Sequence, residues 1–196
     1  MRPARNLSVK VLVERFLNKS EPWHDPWLLD GAFRESYKLS NVDDKPGTLD
    51  LITHEIQKHS GPERKRRSIT TVVDELMLNA LISAPRAAAE LGITGRAGAS
   101  CLLAAEWTDE QMWVHMQDPW GSFLRGNFAK SFRPLNSHVA THGHSGRGMQ
   151  IILGECTDLY IASEPGEMTW VAVRFDFTLS NVEHDKMPKR LLLDMP

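Results

Sequence analysis

Glu75 and Asn79 are the two side chains whose types and spacing point most directly to chemistry. They lie in the run Ile69-Thr-Thr-Val-Val-Asp-Glu-Leu-Met-Leu-Asn-Ala-Leu-Ile82, where Ile69, Val72, Val73, Leu76 and Ala80 recur at helical spacing. Four residues apart on that helix, Glu75 and Asn79 stack on one face, beside the apolar stripe. A carboxylate and a carboxamide at the edge of a buried face cost free energy unless something occupies them. A hard divalent cation with a phosphate would do so: the Asn79 oxygen can ligate Mg²⁺, and Glu75 can orient a water or a hydroxyl. The plainer alternative is a helix whose polar pair simply meets solvent.

Two downstream segments add to this pair. In Met116-Gln-Asp-Pro-Trp-Gly-Ser-Phe123, Asp118 ends an alternating strand with Met112, Val114 and Met116 on one face, and a Pro/Gly turn follows. In Gly143-His-Ser-Gly-Arg-Gly-Met-Gln-Ile-Ile-Leu153, Gly146, Arg147 and Gly148 open a helix that carries Met149, Ile152 and Leu153. Glycines before a helix N-terminus bare backbone N–H groups, and the helix dipole favours an anion there.

In this order the segments resemble the GHKL, or Bergerat-fold, ATPases, and among them the small anti-sigma-factor serine kinases and histidine-kinase-like ATPase domains. Glu75-Leu-Met-Leu-Asn79-Ala80 looks like that family's N box. Asp118 looks like the residue that pairs with the adenine amino group, and Gly146-Arg-Gly148-Met-Gln-Ile-Ile like the second glycine box. Thr157–Ile161 with Thr169–Phe175 looks like the closing hairpin, so the likeness runs from about Thr48 to Phe177. The resemblance implies ATP and Mg²⁺ as cofactors, with Mg²⁺ on Asn79, Glu75 activating an acceptor hydroxyl, and Asp118, Gly121, Gly146, Arg147, Gly148 and Met149 around the nucleotide. It also implies a cytoplasmic regulator with a protein partner: a sigma factor or sigma-like protein to sequester, and a small antagonist to phosphorylate on serine or threonine.

The sequence departs from the family in its first glycine box. Trp120 and Ser122 hold the two expected glycine positions, and Gly121 sits between them. A tryptophan there would narrow the pocket or stack on a base. Two further readings stand beside the kinase. One is a binding scaffold that keeps the fold without turnover, as a homodimer built with the N-terminal helix. The other is the catalytic part of a split histidine kinase.

The helices and strands that must position these residues follow from the rest of the chain. Its 196 residues, 41% of them hydrophobic, suit one globular core. No apolar run approaches the roughly 20 residues that span a bilayer, and no signal-peptide pattern opens the chain. The net charge of −2 argues against a nucleic-acid binder driven by its overall field. Cys101 and Cys156 sit in apolar contexts and read as free thiols of a reducing cytoplasm.

Residues 1–46 read as an N-terminal extension. Val9, Leu12, Val13, Phe16 and Leu17 form an amphipathic stripe capped by Ser8; a Trp/Pro-rich loop (22–27), an edge strand over 37–42 and a turn over 43–47 follow. Residues 47–178 hold the ATPase-like domain. A helix runs from Leu49 to about His59, then come the Glu75/Asn79 helix, a short helical stretch over 87–91 with Pro85 near its start and Gly92 past its end, and two hairpins. Residues 179–196 read as a polar tail ending in Leu191-Leu-Leu193, which docks on the body or on a partner. The expected fold is a two-layer α/β sandwich, a mixed and mostly antiparallel sheet with helices on one face.

Other features carry less. His54 reads as a surface helix histidine, because the span to Asn79 cannot hold a phosphoacceptor's second helix. His138, His142 and His144 read as part of a loop over the site rather than as a metal cluster. Arg64-Lys-Arg-Arg67 reads as a solvated charge run, with contact to an acidic partner as the alternative.

Overall fold

The computed structural model describes residues 32–59, 63–94, 98, 100–124 and 147–195. Six strands form one sheet: β1 (Phe33–Leu39), β2 (Cys101–Trp107), β3 (Gln111–Asp118), β4 (Asp158–Glu164), β5 (Met168–Asp176) and β6 (Arg190–Asp194). Their order is β1-β2-β3-β5-β4-β6, antiparallel throughout except for the parallel pairing of β6 with β4. The helices are α1 (Asp44–His59), α2 (Glu63–Leu78), α3 (Ala84–Glu90), α4 (Arg147–Glu155) and α5 (Asn181–Lys186). This is the expected α/β class, with a mixed six-stranded sheet.

The period-2 alternation of the strands decides which side chains meet the helices. Leu103 and Ala105 of β2, Met112, Val114 and Met116 of β3, Leu159 and Ile161 of β4, and Val173 and Phe175 of β5 share one core. Ile52 and Ile56 of α1, Ile69, Val72, Val73 and Leu76 of α2, and Met149 and Ile152 of α4 close that core from the other side. The helical stripe read from the sequence is thus the buried face of α2.

Three local expectations change. The strand expected over 37–42 lies at Phe33–Leu39, and the turn expected over 43–47 is the first turn of α1. Pro46 is tolerated there because a first-turn residue has no intrahelical use for its N–H. Asp44 accepts hydrogen bonds from the amides of Ser40 (2.6 Å) and Asn41 (3.1 Å), fixing the entry. The short helix is α3, Ala84–Glu90, continuous with α2 through a π-helical turn at Asn79–Ser83. Pro85 explains that turn. It supplies no N–H, so the Ala84 amide bonds back to the Asn79 carbonyl and the Ala80 carbonyl takes the Cys101 thiol instead, at 3.8 Å.

Within the basic run Arg64 and Arg67 stay solvated, as expected, and Lys65 does not. Lys65 is buried and donates to the carbonyls of Asp176 (2.7 Å) and Leu179 (2.5 Å), and burial lowers its pKa. Arg64 grips Asp185 with bonds of 2.9 and 3.1 Å, and Arg67 pairs with Glu63. Through Lys65 and Arg64, α2 holds the C-terminal tail. That tail is ordered: α5 opens with a Ser180/Glu183 capping box, and β6 extends the sheet. Asp158, fully buried, accepts from Arg174 and Arg190 together and locks β6 against β4 and β5.

Among the described residues no helix is long and apolar enough to cross a membrane. The expected N-terminal helix, the 22–27 loop, Gly146, His138, His142 and His144 lie outside the described residues.

Candidate functional site at the junction of two helices and the end of a central strand

Helix packing brings the acid–amide pair to the start of α4. A Cβ built on Gly148 would stand 2.5 Å from Glu75 Oε2 and 3.5 Å from both terminal atoms of Asn79. Only a glycine lets the α4 backbone approach this closely. Asn79 Nδ2 points at Met149 Sδ, 3.8 Å away, and Met149 is itself buried against the core. Four of the residues singled out from the sequence therefore meet: Glu75, Asn79, Gly148 and Met149. Arg147, the first residue of α4, is exposed.

Glu75 is half-buried, and among the described residues no hydrogen bond or ion pair reaches its carboxylate. Burial raises its pKa, Asp74 raises it further, and Lys45 opposes both. Lys45 is engaged with Asp74, the next residue on α2, so its charge reaches Glu75 from outside a direct pair.

Asp118 ends β3 on the helix-facing side and is 6% exposed. Its Oδ1 accepts from the Trp120 amide at 2.9 Å. Burial pushes the carboxyl up to about 7, although amides of Trp120, Gly121 and Thr169 pull the other way. Cys101 links Asp118 to the helix side: it feels the Asp118 charge and its thiol reaches the Ala80 carbonyl, one residue past Asn79. Burial pushes the Cys101 thiol up to about 12, so it stays protonated.

The loop after Asp118 is fastened to protein on both sides. Ser122 Oγ donates to the Ala84 carbonyl at 2.9 Å, where the π turn gives way to α3. Gly121, at φ +57°, backs onto the β4–β5 turn; a Cβ there would overlap the Glu164 carbonyl and lie 2.9 Å from Gly166 N. Ser122 and Gly121 thus have packing roles that the sequence pattern alone did not reveal. The π turn before Pro85 is likewise not read from the sequence, where Pro85 only marks the start of the short helix.

A groove of about 860 Å³ runs between α1 and α2, lined by Leu49, Thr53, Ile56, Thr70, Thr71 and Asp74 among others. Glu75 and Asn79 do not line it: they turn toward α4, one face further round the helix. Among the described residues, no group of three or more His, Cys, Asp or Glu is placed to hold a metal ion.

Fold and site together define an α/β sandwich protein with an acid–amide pair set against a glycine helix start. No family model matches the chain, and no curated protein matches it. Among solved structures it is similar to a chain of the SiaB–SiaC complex from Pseudomonas aeruginosa, with 12% identity and a TM-score of 0.47. That match covers 88% of this chain and 99% of the other.

Proposed function

We propose that the protein is an adenine-nucleotide-binding regulator, acting as a serine/threonine kinase on a small protein partner. The observation that carries this reading is the convergence of Glu75 and Asn79 on Gly148. It sets a carboxylate, unpaired among the described residues, and a carboxamide oxygen beside a helix start that carries no side chain at Gly148. These groups fit a phosphate–Mg²⁺ unit: Asn79 offers the cation an oxygen, and the first turn of α4 offers an anion backbone amides. Bound there, ATP–Mg²⁺ would supply the transferable phosphoryl group. Glu75, its pKa raised by burial, is suited to take the proton from an acceptor hydroxyl. Asp118, at the adjoining strand end, is the group suited to an adenine amino hydrogen bond.

Calorimetry with ATP and Mg²⁺ tests the site. Asn79→Ala should weaken binding at least about tenfold, whereas Glu75→Gln should bind ATP but lose phosphoryl transfer to the partner. Absence of ATP binding to the unaltered chain would reject the reading.

One observation favours a second reading, a regulatory scaffold that binds a partner without turnover. The Ser122–Ala84 bond and the seat of Gly121 on the β4–β5 turn tie down the loop that a nucleotide would have to pass. Partner binding indifferent to ATP would support it.

A further inference from the structure

β6 is an edge strand: among the described residues it pairs with β4 on one side and with no strand on the other. Its sequence, Arg190-Leu-Leu-Leu-Asp194, has no charge, proline or bulge between its ends to blunt that edge. Leu191 is 39% exposed, Leu192 and Leu193 are half-buried, and Asp194 is exposed. The pleat fixes which backbone groups are open. The Arg190 amide donates to the carbonyl of Thr157, just before β4, at 3.4 Å, so Arg190, Leu192 and Asp194 turn their N–H and C=O groups toward β4. Leu191 and Leu193 turn theirs outward. The side chains alternate with the same period: Leu192 packs on the Trp113 and Tyr160 cluster, Leu193 on the helix-facing core.

We propose that β6 pairs antiparallel with β6 of a second copy of this chain, about a two-fold axis at Leu192. Outward backbone groups must face outward backbone groups, so a two-fold pairing of the leucines centres on Leu191, Leu192 or Leu193. Centred on Leu191, the axis sets Arg190 opposite a leucine; centred on Leu193, it sets Asp194 opposite one. Only the Leu192 axis places Arg190 of each copy opposite Asp194 of the other, and symmetry makes that contact twice. Leu191 then exchanges backbone hydrogen bonds with the partner's Leu193, and Leu193 with the partner's Leu191, closing the open row of both edges. Arg190 holds Asp158 through Nε and Nη2, the latter at 2.8 Å, and among the described residues its Nη1 has no bond. Asp194 has no hydrogen bond or ion pair among those residues either. An open donor and an open carboxylate thus stand at opposite ends of one strand, as a self-complementary contact requires. A strand of 5 residues makes a small interface, so the dimer is transient and forms over micromolar concentrations. The pairing does not depend on the nucleotide reading.

Sedimentation velocity of the full chain over a concentration series, without nucleotide, tests the pairing, and a monomer–dimer equilibrium is the expected result. Leu191→Pro removes an outward N–H while leaving the bonds to β4 in place, and should abolish the dimer with the circular dichroism spectrum unchanged. Asp194→Lys sets like charges opposite each other and should weaken the dimer about tenfold, whereas Asp194→Glu should keep it. Oxidative cross-linking reads the register. On the axis the two Leu192 Cα atoms stand about 4.5 Å apart, within disulfide reach, so Leu192→Cys should link two copies and Leu191→Cys should not. Should Leu191→Pro unfold, the Asp194 and Leu192 variants carry the test alone. A chain that stays monomeric up to about 1 mM would overturn the proposal. So would a dimer that a folded Leu191→Pro or the Asp194→Lys variant leaves at full strength, or a cross-link through Leu191→Cys in place of Leu192→Cys.

Discussion

Gly148 leaves no room for a side chain beside Glu75: a Cβ built there stands 2.5 Å from the carboxylate oxygen Oε2. The obstructing atom is the tip of a flexible side chain, so Gly148→Ala would displace Glu75 rather than break the fold. Alanine is also favoured over glycine within a helix by about 1 kcal/mol. Urea unfolding should therefore find stability changed by less than about 1 kcal/mol. If the phosphate reading holds, calorimetry should find ATP–Mg²⁺ affinity reduced at least about tenfold, a separation of function from stability that an idle glycine would not show.

Gly121 is constrained differently, by backbone on one side and by its own dihedral on the other. A residue with a Cβ at φ +57° is strained by about 1–2 kcal/mol, and here the Cβ also overlaps the rigid Glu164 carbonyl. Gly121→Ala should cost roughly 3 kcal/mol or more in equilibrium unfolding. A cost below about 1 kcal/mol would mean that the β4–β5 turn yields easily.

Asp118 gives a pH dependence with a definite sign. Its folded pKa, about 7, lies above the ordinary 3.8, so the folded state binds the proton more tightly than the unfolded chain. The associated stability is complete below about pH 4 and is lost as pH rises to about 7. Asp118→Asn keeps an oxygen for the Trp120 amide and removes the titration. The difference in unfolding free energy between variant and parent should move in the variant's favour, on the order of 2–4 kcal/mol, between pH 4 and 8. A difference flat across that range would refute the burial argument. Comparison of the two proteins is needed because Glu75, also raised, contributes in the same direction.

Asp158 and its two arginines anchor the C-terminal strand unequally. Asp158 and Arg174 are buried, whereas Arg190 is 44% exposed. Asp158→Ala leaves the buried Arg174 only the longer contacts to Asp176 (3.5 Å) and Gln111 (3.3 Å) and should cost roughly 3 kcal/mol. Arg190→Ala removes one exposed partner and should cost about 1 kcal/mol or less, with faster hydrogen exchange confined to β6 and the adjoining edge of β4. Equal costs would place the lock elsewhere.

The sequence by itself determined the repeating elements. The helical spacing of Ile69, Val72, Val73 and Leu76 and the alternation of Met112, Val114 and Met116 state which faces are buried, because burial of apolar area dominates folding and each element has one period. From these came the α/β class, both hairpins, the α2 and α4 helices, and the pairing of Glu75 with Asn79 on one face. Only the tertiary structure decided what that face meets. The seat of Gly148 on Glu75, the tie of Ser122 to Ala84 and the backing of Gly121 on Glu164 join residues 38 to 73 positions apart, and no local pattern encodes such approaches. Lys65 in the basic run and Trp113 on β3 follow the same logic. A charge or an indole reads identically in sequence whether it meets water or protein, and only the packing of distant segments settles which one it meets.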